Sequence, residues 1–184
     1  MKRPRQELAS ASIRSPLGKI WILATGSGLQ EIRLSNDPAP SRREARQRGI
    51  AFVRRPRWTD PARRALERYL TGRDRELDLA LDLARGTPFQ RRVWEAARRV
   101  PYGATASYAD IARVAGHPRA VRAVGNALGS NPVPIVVPCH RVIHADRSIG
   151  GFSSGLPWKR FLLEIERGQL EISWKPRRRF FLHR

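Results

Sequence analysis

The stretch SYADIARVAGHPRAVRAVGNAL, residues 107–128, carries two short helical patterns with almost nothing between them. Ser107 and Asp110 are spaced as a capping box, with aspartate in the glutamate position. The first helical run closes at Ala115 and Gly116, and HPR makes a short turn with Pro118 placed to start the second helix, whose body is AVRAVGNAL. Helix, tight turn, helix is the outline of a helix-turn-helix. Two packed helices joined by a turn also occur in many small domains, so a plain structural hairpin stays open on this pattern alone. Arg119 and Arg122 near the start of the second helix add weight to nucleic-acid binding.

Upstream, TPFQRRVWEAARRV starts a helix with Thr87 as N-cap and Pro88 at the first helical position. A boundary near Arg85 or Gly86 separates this half from the first. There, ASASIRS, KIWILAT and LQEIRLS read as a small antiparallel meander punctuated by the turns SPLG and GSG. Residues 36–56 dissolve into a Pro- and Arg-rich loop or ragged helix. TDPARRALERYLTGR opens with Thr59 and Asp60 and carries Ala65, Leu66, Tyr69 and Leu70 at helical spacing, and ELDLALDLA alternates like a strand. Downstream, WKRFLLEIERG is helical, with Phe161, Leu162 and Ile165 as its buried stripe.

Charge points to a partner class. Lys+Arg number 36 against 16 Asp+Glu, a net charge of +20, and only four of the bases are lysines. Such a field attracts polyanions, and arginine's planar fork suits phosphates and base edges. An arginine-rich composition inherited from a GC-rich genome would give the same excess. The single cysteine excludes an internal disulfide and a multi-cysteine zinc site, and the four histidines are too scattered to supply metal ligands. No metal and no cofactor are expected. The N-terminus has basic residues but no apolar segment behind them, and no apolar run approaches about 20 residues, so no membrane association is expected and the location read from the sequence is cytoplasmic.

That cysteine, Cys139, lies in PVPIVVPCHRVIH, residues 132–144. Free cysteine is most often an inert buried residue. Here His140 can take or share a thiol proton, Arg141 adds positive potential, and prolines 132, 134 and 138 restrict the backbone. A nucleophile and base need a third group to orient the imidazole, and the downstream carboxylates are Asp146, Glu164, Glu166 and Glu171. Glu166 ends its helix, where a carboxylate opposes the dipole. It is either a solvated helix-end glutamate or a functional one.

PCHRV with NPVPIVV before it resembles the active-site signature of the O6-alkylguanine-DNA alkyltransferases, the methylated-DNA–protein-cysteine methyltransferases. GTPFQ (86–90), VPYGATASYADIA (100–112), RAVGNAL (122–128), GGFSSG and KRFLLEIE are similar too, so the likeness runs without gaps from Gly86 to Glu166. It implies an α/β fold: a small N-terminal α/β domain with an antiparallel, ribonuclease H-like sheet (1–85), then a mostly helical domain with a helix-turn-helix (86–172). A basic C-terminal tail (173–184) follows.

The resemblance also implies roles. Cys139 takes the alkyl group from O6 of guanine (less well from O4 of thymine) in DNA, irreversibly and once. His140 acts through a water as base and Glu166 orients it. Asn131 is the hinge that fixes the thiol loop, and Tyr108 donates toward N3 of the departing guanine. Ser153, Phe152, Pro134 and the backbone around Val142 and Gly150 hold the base. Arg122 fills the space left by the flipped nucleotide, with Arg119, Ala120, Ala123 and Gly125 against the DNA. The partner is double-stranded DNA carrying alkylated guanine; the protein is expected to be a monomer, associated with the nucleoid in a prokaryote.

This sequence departs from the family at Phe152, where many members have tyrosine, and at Val121, often alanine. Three rivals stand beside this reading. An alkyltransferase-like lesion-binding protein typically has tryptophan in place of the cysteine, and Cys139 opposes it. A thiol hydrolase would have no use for a helix-turn-helix. A fused transcription regulator needs a longer chain.

Overall fold

The computed structural model describes residues 6–34, 42–47 and 49–168; the tail 173–184 and Glu171 lie outside the described residues. The two turns close the expected meander: β1 (Gln6–Ser15), β2 (Gly18–Thr25) and β3 (Gly28–Arg33) pair antiparallel, with Ile13 opposite Ile20 and Ala11 opposite Ile22. Alternation sends Ile13, Ile20 and Ile22 into the main core. On the other face Leu8 and Leu23 pack with Ala45 and Ile50.

The arginine-rich segment after the meander holds more than a loop. After the short α1 (Arg42–Gln47), β4 (Ile50–Val53) runs parallel to β1, giving the order β3-β2-β1-β4. Four residues, IAFV, are too few for periodicity to register as a strand; the pairing with Gln6–Ala9 defines them.

α2 (Pro56–Leu70) begins a turn before Thr59. Pro56 supplies the preset φ of the first helical position, and Thr59 is buried in the helix instead of capping it. The ELDLALDLA run is extended, and Leu77, Leu79, Leu81 and Leu83 pack on the core, but only Leu81 bridges to Leu29. The outer edge of β3 is shared: Leu29 N–H donates to Ala80 O (2.8 Å) and Ile32 N–H donates to Pro132 O (2.8 Å), so the run cannot pair along its length.

The second half is helical. α3 (Pro88–Arg98) has the expected Thr87 cap, completed by Gln90 as a capping box. β5 (Ala106–Ser107) leads into α4 (Tyr108–Val114), where Ser107 and Asp110 form the box read from the sequence. α5 (Val121–Gly129) starts three residues after Pro118, which lies in the turn rather than at the first helical position. The Ala120 N–H donates to His117 O at 2.9 Å, closing that turn before the helix begins. A 3₁₀ turn, Cys139–Arg141, and β6 (Val142–Ile143) follow, then α6 (Leu156–Glu166). β6 runs parallel to β5, with Ala106 opposite Val142, which draws the start of α4 to the thiol segment.

One continuous apolar core joins both halves, from Ile13 and Ile20 in the sheet through Tyr69 and Leu70 of α2 to Trp158 and Ile165 of α6. Among the described residues no helix is long and apolar enough to cross a membrane.

Candidate active site

The segment between α5 and the 3₁₀ turn is a tight double bend. Val137 N–H donates to Val133 O (3.0 Å) and Cys139 N–H to Val137 O (2.8 Å). Ile135 has φ +78°, a region costly for a β-branched residue, and is fully buried. Such backbone persists only where the surroundings enforce it. Asn131 supplies part of that enforcement: its Oδ1 accepts from Val133 N–H (3.0 Å), and its Nδ2 donates to Val137 O (2.9 Å) and lies 3.1 Å from Cys139 Sγ. Pro134, also buried, is paired with Val137 inside the bend.

Cys139 is buried, and burial pushes its thiol above the ordinary value, with the Asn131 hydrogen bond and the Lys159 charge pulling back only in part. The group at rest is a thiol, and making thiolate calls for a base. His140 is the adjacent residue and wholly inaccessible; burial holds it below the usual histidine value, so it is neutral. Its Nε2 is 2.6 Å from Glu166 Oε1, while Nδ1 has no hydrogen-bond partner among the described residues.

Glu166 is buried at the end of α6, not solvated. Its carboxylate accepts from the Arg141 guanidinium (3.0 Å to each oxygen), from Gly103 N–H (2.9 Å to Oε2) and from Tyr69 Oη. Burial alone would raise its pKa, but the hydrogen bonds from His140 and Tyr69 and the charge of Arg141 outweigh it and hold the carboxyl at about 2. Those donors offset the unfavourable helix-end position. Gly103 has φ +76°, and a Cβ there would stand 3.3 Å from Glu166 O, so glycine lets the backbone approach.

Around the thiol, Tyr108 is the first residue of α4 and half-buried, and its ring lies 5.3 Å from that of His144. Burial and the neighbouring Cys139 charge push its phenol up, so it is a hydrogen-bond donor. A Cβ on Gly150 (φ +67°) would lie 3.1 Å from Tyr108 Oη, and one on Gly125 of α5 would lie 3.9 Å from the Tyr108 ring. Gly125 and Gly150 thus both lie against Tyr108, which senses the Cys139 charge, and the β5–β6 pairing brings Val142 opposite Ala106, two residues before Tyr108. Phe152 packs partly buried on the core, and Ser153 is exposed.

Residues 88–168 match the 6-O-methylguanine DNA methyltransferase DNA binding domain, and residues 8–83 match the ribonuclease-like domain of the same methyltransferases. The chain belongs to the 6-O-methylguanine DNA methyltransferase family. Curated relatives named methylated-DNA–protein-cysteine methyltransferase include that of Mycobacterium tuberculosis, 42% identical over 165 residues, 86% of this chain and 92% of the relative. That of Methanosarcina barkeri is 37% identical over 158 residues, 86% and 96% of the two chains. The crystal structure of the M. tuberculosis methyltransferase (OGT) in complex with DNA matches with a TM-score of 0.75 at 39% identity, covering 89% of this chain and 94% of that one.

In this methyltransferase the helix-turn-helix residues form an exposed edge. Arg119, Arg122 and Ala123 are exposed, Ala120 is half-buried, and neither arginine makes a hydrogen bond or ion pair among the described residues. Val121 is 38% exposed at the same edge, one of three large apolar side chains left so open among the described residues. No group of three or more His, Cys, Asp or Glu residues that could hold a metal is present among the described residues.

Three further residues belong to the site. The sequence makes Arg141 a source of positive potential for the thiol; in the structure its guanidinium is on Glu166 and on Val100 O (2.6 Å). Lys159 is buried with Nζ donating to Val142 O (2.6 Å) and Gly151 O (3.1 Å), and burial lowers it to about 8. Tyr69 reaches in from α2. A buried lysine on the apolar stripe of α6 is visible in WKRFLLEIE as a charge beside Trp158, the one sequence signal that could have found it. The Tyr69 contact spans 97 residues, and no local pattern marks it.

Proposed function

We propose that this protein repairs DNA by moving the alkyl group of O6-alkylguanine, and less well of O4-alkylthymine, onto Cys139, once per molecule, after the damaged nucleotide is flipped out of the duplex. The observation that carries the reading is the thiol on the Asn131 amide, immediately before a neutral His140 paired with an ionised Glu166. A protonated thiol is a poor nucleophile. His140 Nδ1 takes its proton through a water, and Glu166 stabilises the imidazolium that forms, as the carboxylate does in any such triad. The Cys139 thiolate then attacks the alkyl carbon; the new C–S bond forms as the C–O bond breaks. Negative charge moves onto the guanine, and Tyr108 gives a proton to N3. A thioether cannot return to thiolate, so the reaction is stoichiometric.

A base stacked in a duplex is out of reach, and extruding it costs about a few kcal/mol. Arg122, unpaired among the described residues, fills the vacated stack, while Arg119 and the general positive field hold phosphates. Small residues Ala120, Ala123 and Gly125 permit close approach to a groove, and binding independent of sequence suits a repair protein. In this division of labour residues 86–172 bind DNA and carry the nucleophile, and residues 1–85 frame them.

The test is mass spectrometry after incubation with an oligonucleotide containing O6-methylguanine. A gain of about one methylene on the Cys139 peptide, at one equivalent per protein, is the expected result. Binding of the oligonucleotide with an unmodified Cys139 would instead favour a lesion-binding protein without transfer.

A further inference from the structure

Tyr69 belongs to α2, in the half that carries the sheet, yet its hydroxyl ends inside the His140–Glu166 pair. It donates to Glu166 Oε1, the oxygen that His140 Nε2 also meets at 2.6 Å, and it lies 3.4 Å from Nε2 itself. The ring is fully buried and packs edge-to-face on Tyr102, centroids 5.8 Å apart at 85°, so the hydroxyl has no freedom to swing away. A simple space-filler at this position would need no hydroxyl, and a buried hydroxyl without a partner would be costly.

We propose that Tyr69 is a positioning residue for thiol activation, supplied by the N-terminal half: its hydroxyl holds Glu166 Oε1 against His140 Nε2 and takes up part of the carboxylate's charge, so that the imidazole is set to accept the thiol's proton. The inference rests on the transfer reaction proposed above. The groups facing His140 from each packed element are Glu166 and Lys159 of α6, Tyr69 of α2, Arg141 in its own turn and Cys139 before it. Burial above all disfavours an imidazolium, Glu166 favours one, Arg141 and Lys159 oppose it, and the Tyr69 hydrogen bond weakens Glu166 as an acceptor. Removing the hydroxyl therefore tips the pair toward a protonated His140, which cannot take a proton from Cys139.

The experiment follows His140 by nitrogen-15 NMR titration in wild type, Tyr69→Phe and Tyr102→Phe, alongside the pH–rate profile for alkyl transfer from free O6-benzylguanine. Tyr102 donates to Ile165 O (3.3 Å) and makes no hydrogen bond to Glu166, so its variant is the control for disturbing the same aromatic pair. In Tyr69→Phe the His140 titration and the rising limb of the profile move to higher pH by about one unit, a roughly tenfold loss of rate on that limb with little loss above it; Tyr102→Phe leaves both in place. Placing 3-fluorotyrosine at position 69 strengthens the donor without changing the fold and moves both to lower pH. An unmoved His140 in the active Tyr69→Phe protein, or a loss of rate equal at every pH, overturns the positioning role. A wild-type protein that transfers no benzyl group refutes the transfer reaction instead, and the NMR titration still reads Tyr69.

Discussion

The Asn131 amide lies 3.1 Å from Cys139 Sγ while its carbonyl oxygen accepts from Val133 N–H at 3.0 Å. One side chain therefore ties the exit of α5 to both ends of the strained bend that presents the thiol. Asn131→Ala leaves the buried Val133 N–H and Val137 carbonyl without this partner, at a cost of about 2–4 kcal/mol, or roughly 5–15 °C in melting temperature. It also removes the hydrogen bond that draws the thiol pKa down. The pH dependence of Cys139 modification by iodoacetamide should shift to higher pH; an unshifted profile in a folded variant would show that the contact does not tune the sulfur.

Glu166→Gln keeps the shape and removes the charge. A neutral amide cannot stabilise an imidazolium at His140, and the transfer rate should drop by at least about 100-fold. Arg141 is left buried without its counter-ion, so the variant should also lose about 3 kcal/mol of stability while remaining folded. Single-turnover rates with DNA in excess, together with melting curves, check both halves. An unchanged rate would remove Glu166 from the chemistry.

Stability should fall toward acid in two stages. His140 is kept below its ordinary 6.5 by burial, so the unfolded chain binds a proton the native protein refuses, and stability declines as pH drops below about that value. Glu166, held at about 2 against an ordinary 4.5, adds stability that is fully present above 4.5 and is lost as pH falls toward 2. Urea unfolding at several pH values should show both stages in wild type and a weaker second stage in Glu166→Gln, where Asp74, Asp110 and Asp146, also held low by their hydrogen-bond partners, remain to be protonated. Equal acid sensitivity of the two proteins below pH 4.5 would show that Glu166 is not held ionised in the native state.

Local chemistry explains which of these features a sequence discloses. The Thr87 cap and the Ser107–Asp110 capping box involve residues no more than three apart, and both formed as read, with Gln90 completing a box at Thr87 that the sequence reading does not include. Cys139 and His140 were visible as neighbours in a rigid frame. Apart from His140, which the family resemblance pairs with it, the partners of Glu166 were not: Arg141 is 25 residues away, Gly103 is 63 and Tyr69 is 97, so only folding brings them together. β4 escaped for a different reason, since its four residues are defined by pairing with β1 rather than by their own pattern. Alternation in ELDLALDLA is a true burial pattern, yet Pro132 occupies part of the edge it would have paired with.

Cys139→Ala should abolish transfer and retain binding to alkylated DNA, because Tyr108, Gly150 and the exposed edge of α5 are untouched. Its small loss of volume at a buried position should cost on the order of 1 kcal/mol. Gel-shift affinity for a lesion-containing duplex checks the binding. Residual alkylation of the variant, or repair by wild type beyond one equivalent, would contradict a mechanism with one nucleophile.

Arg122 and Arg119 are both exposed near the start of α5, three residues apart, and the proposal gives them different work. If Arg122 fills the vacated stack, Arg122→Ala slows repair of a duplex by about 100-fold, corresponding to a few kcal/mol of flipping cost no longer offset, but leaves reaction with free O6-benzylguanine within about twofold, because a free base needs no extrusion. In the proposal Arg119 contacts phosphate instead. Arg119→Ala should weaken duplex binding in a salt-dependent way, lowering the slope of log affinity against log salt by about one, with little change in rate once DNA is bound. Measuring both variants at saturating duplex and on the free base separates extrusion from attraction. Equal loss of duplex and free-base activity in Arg122→Ala would mean that the residue supports the fold or the base site itself, and the stacking role would fall.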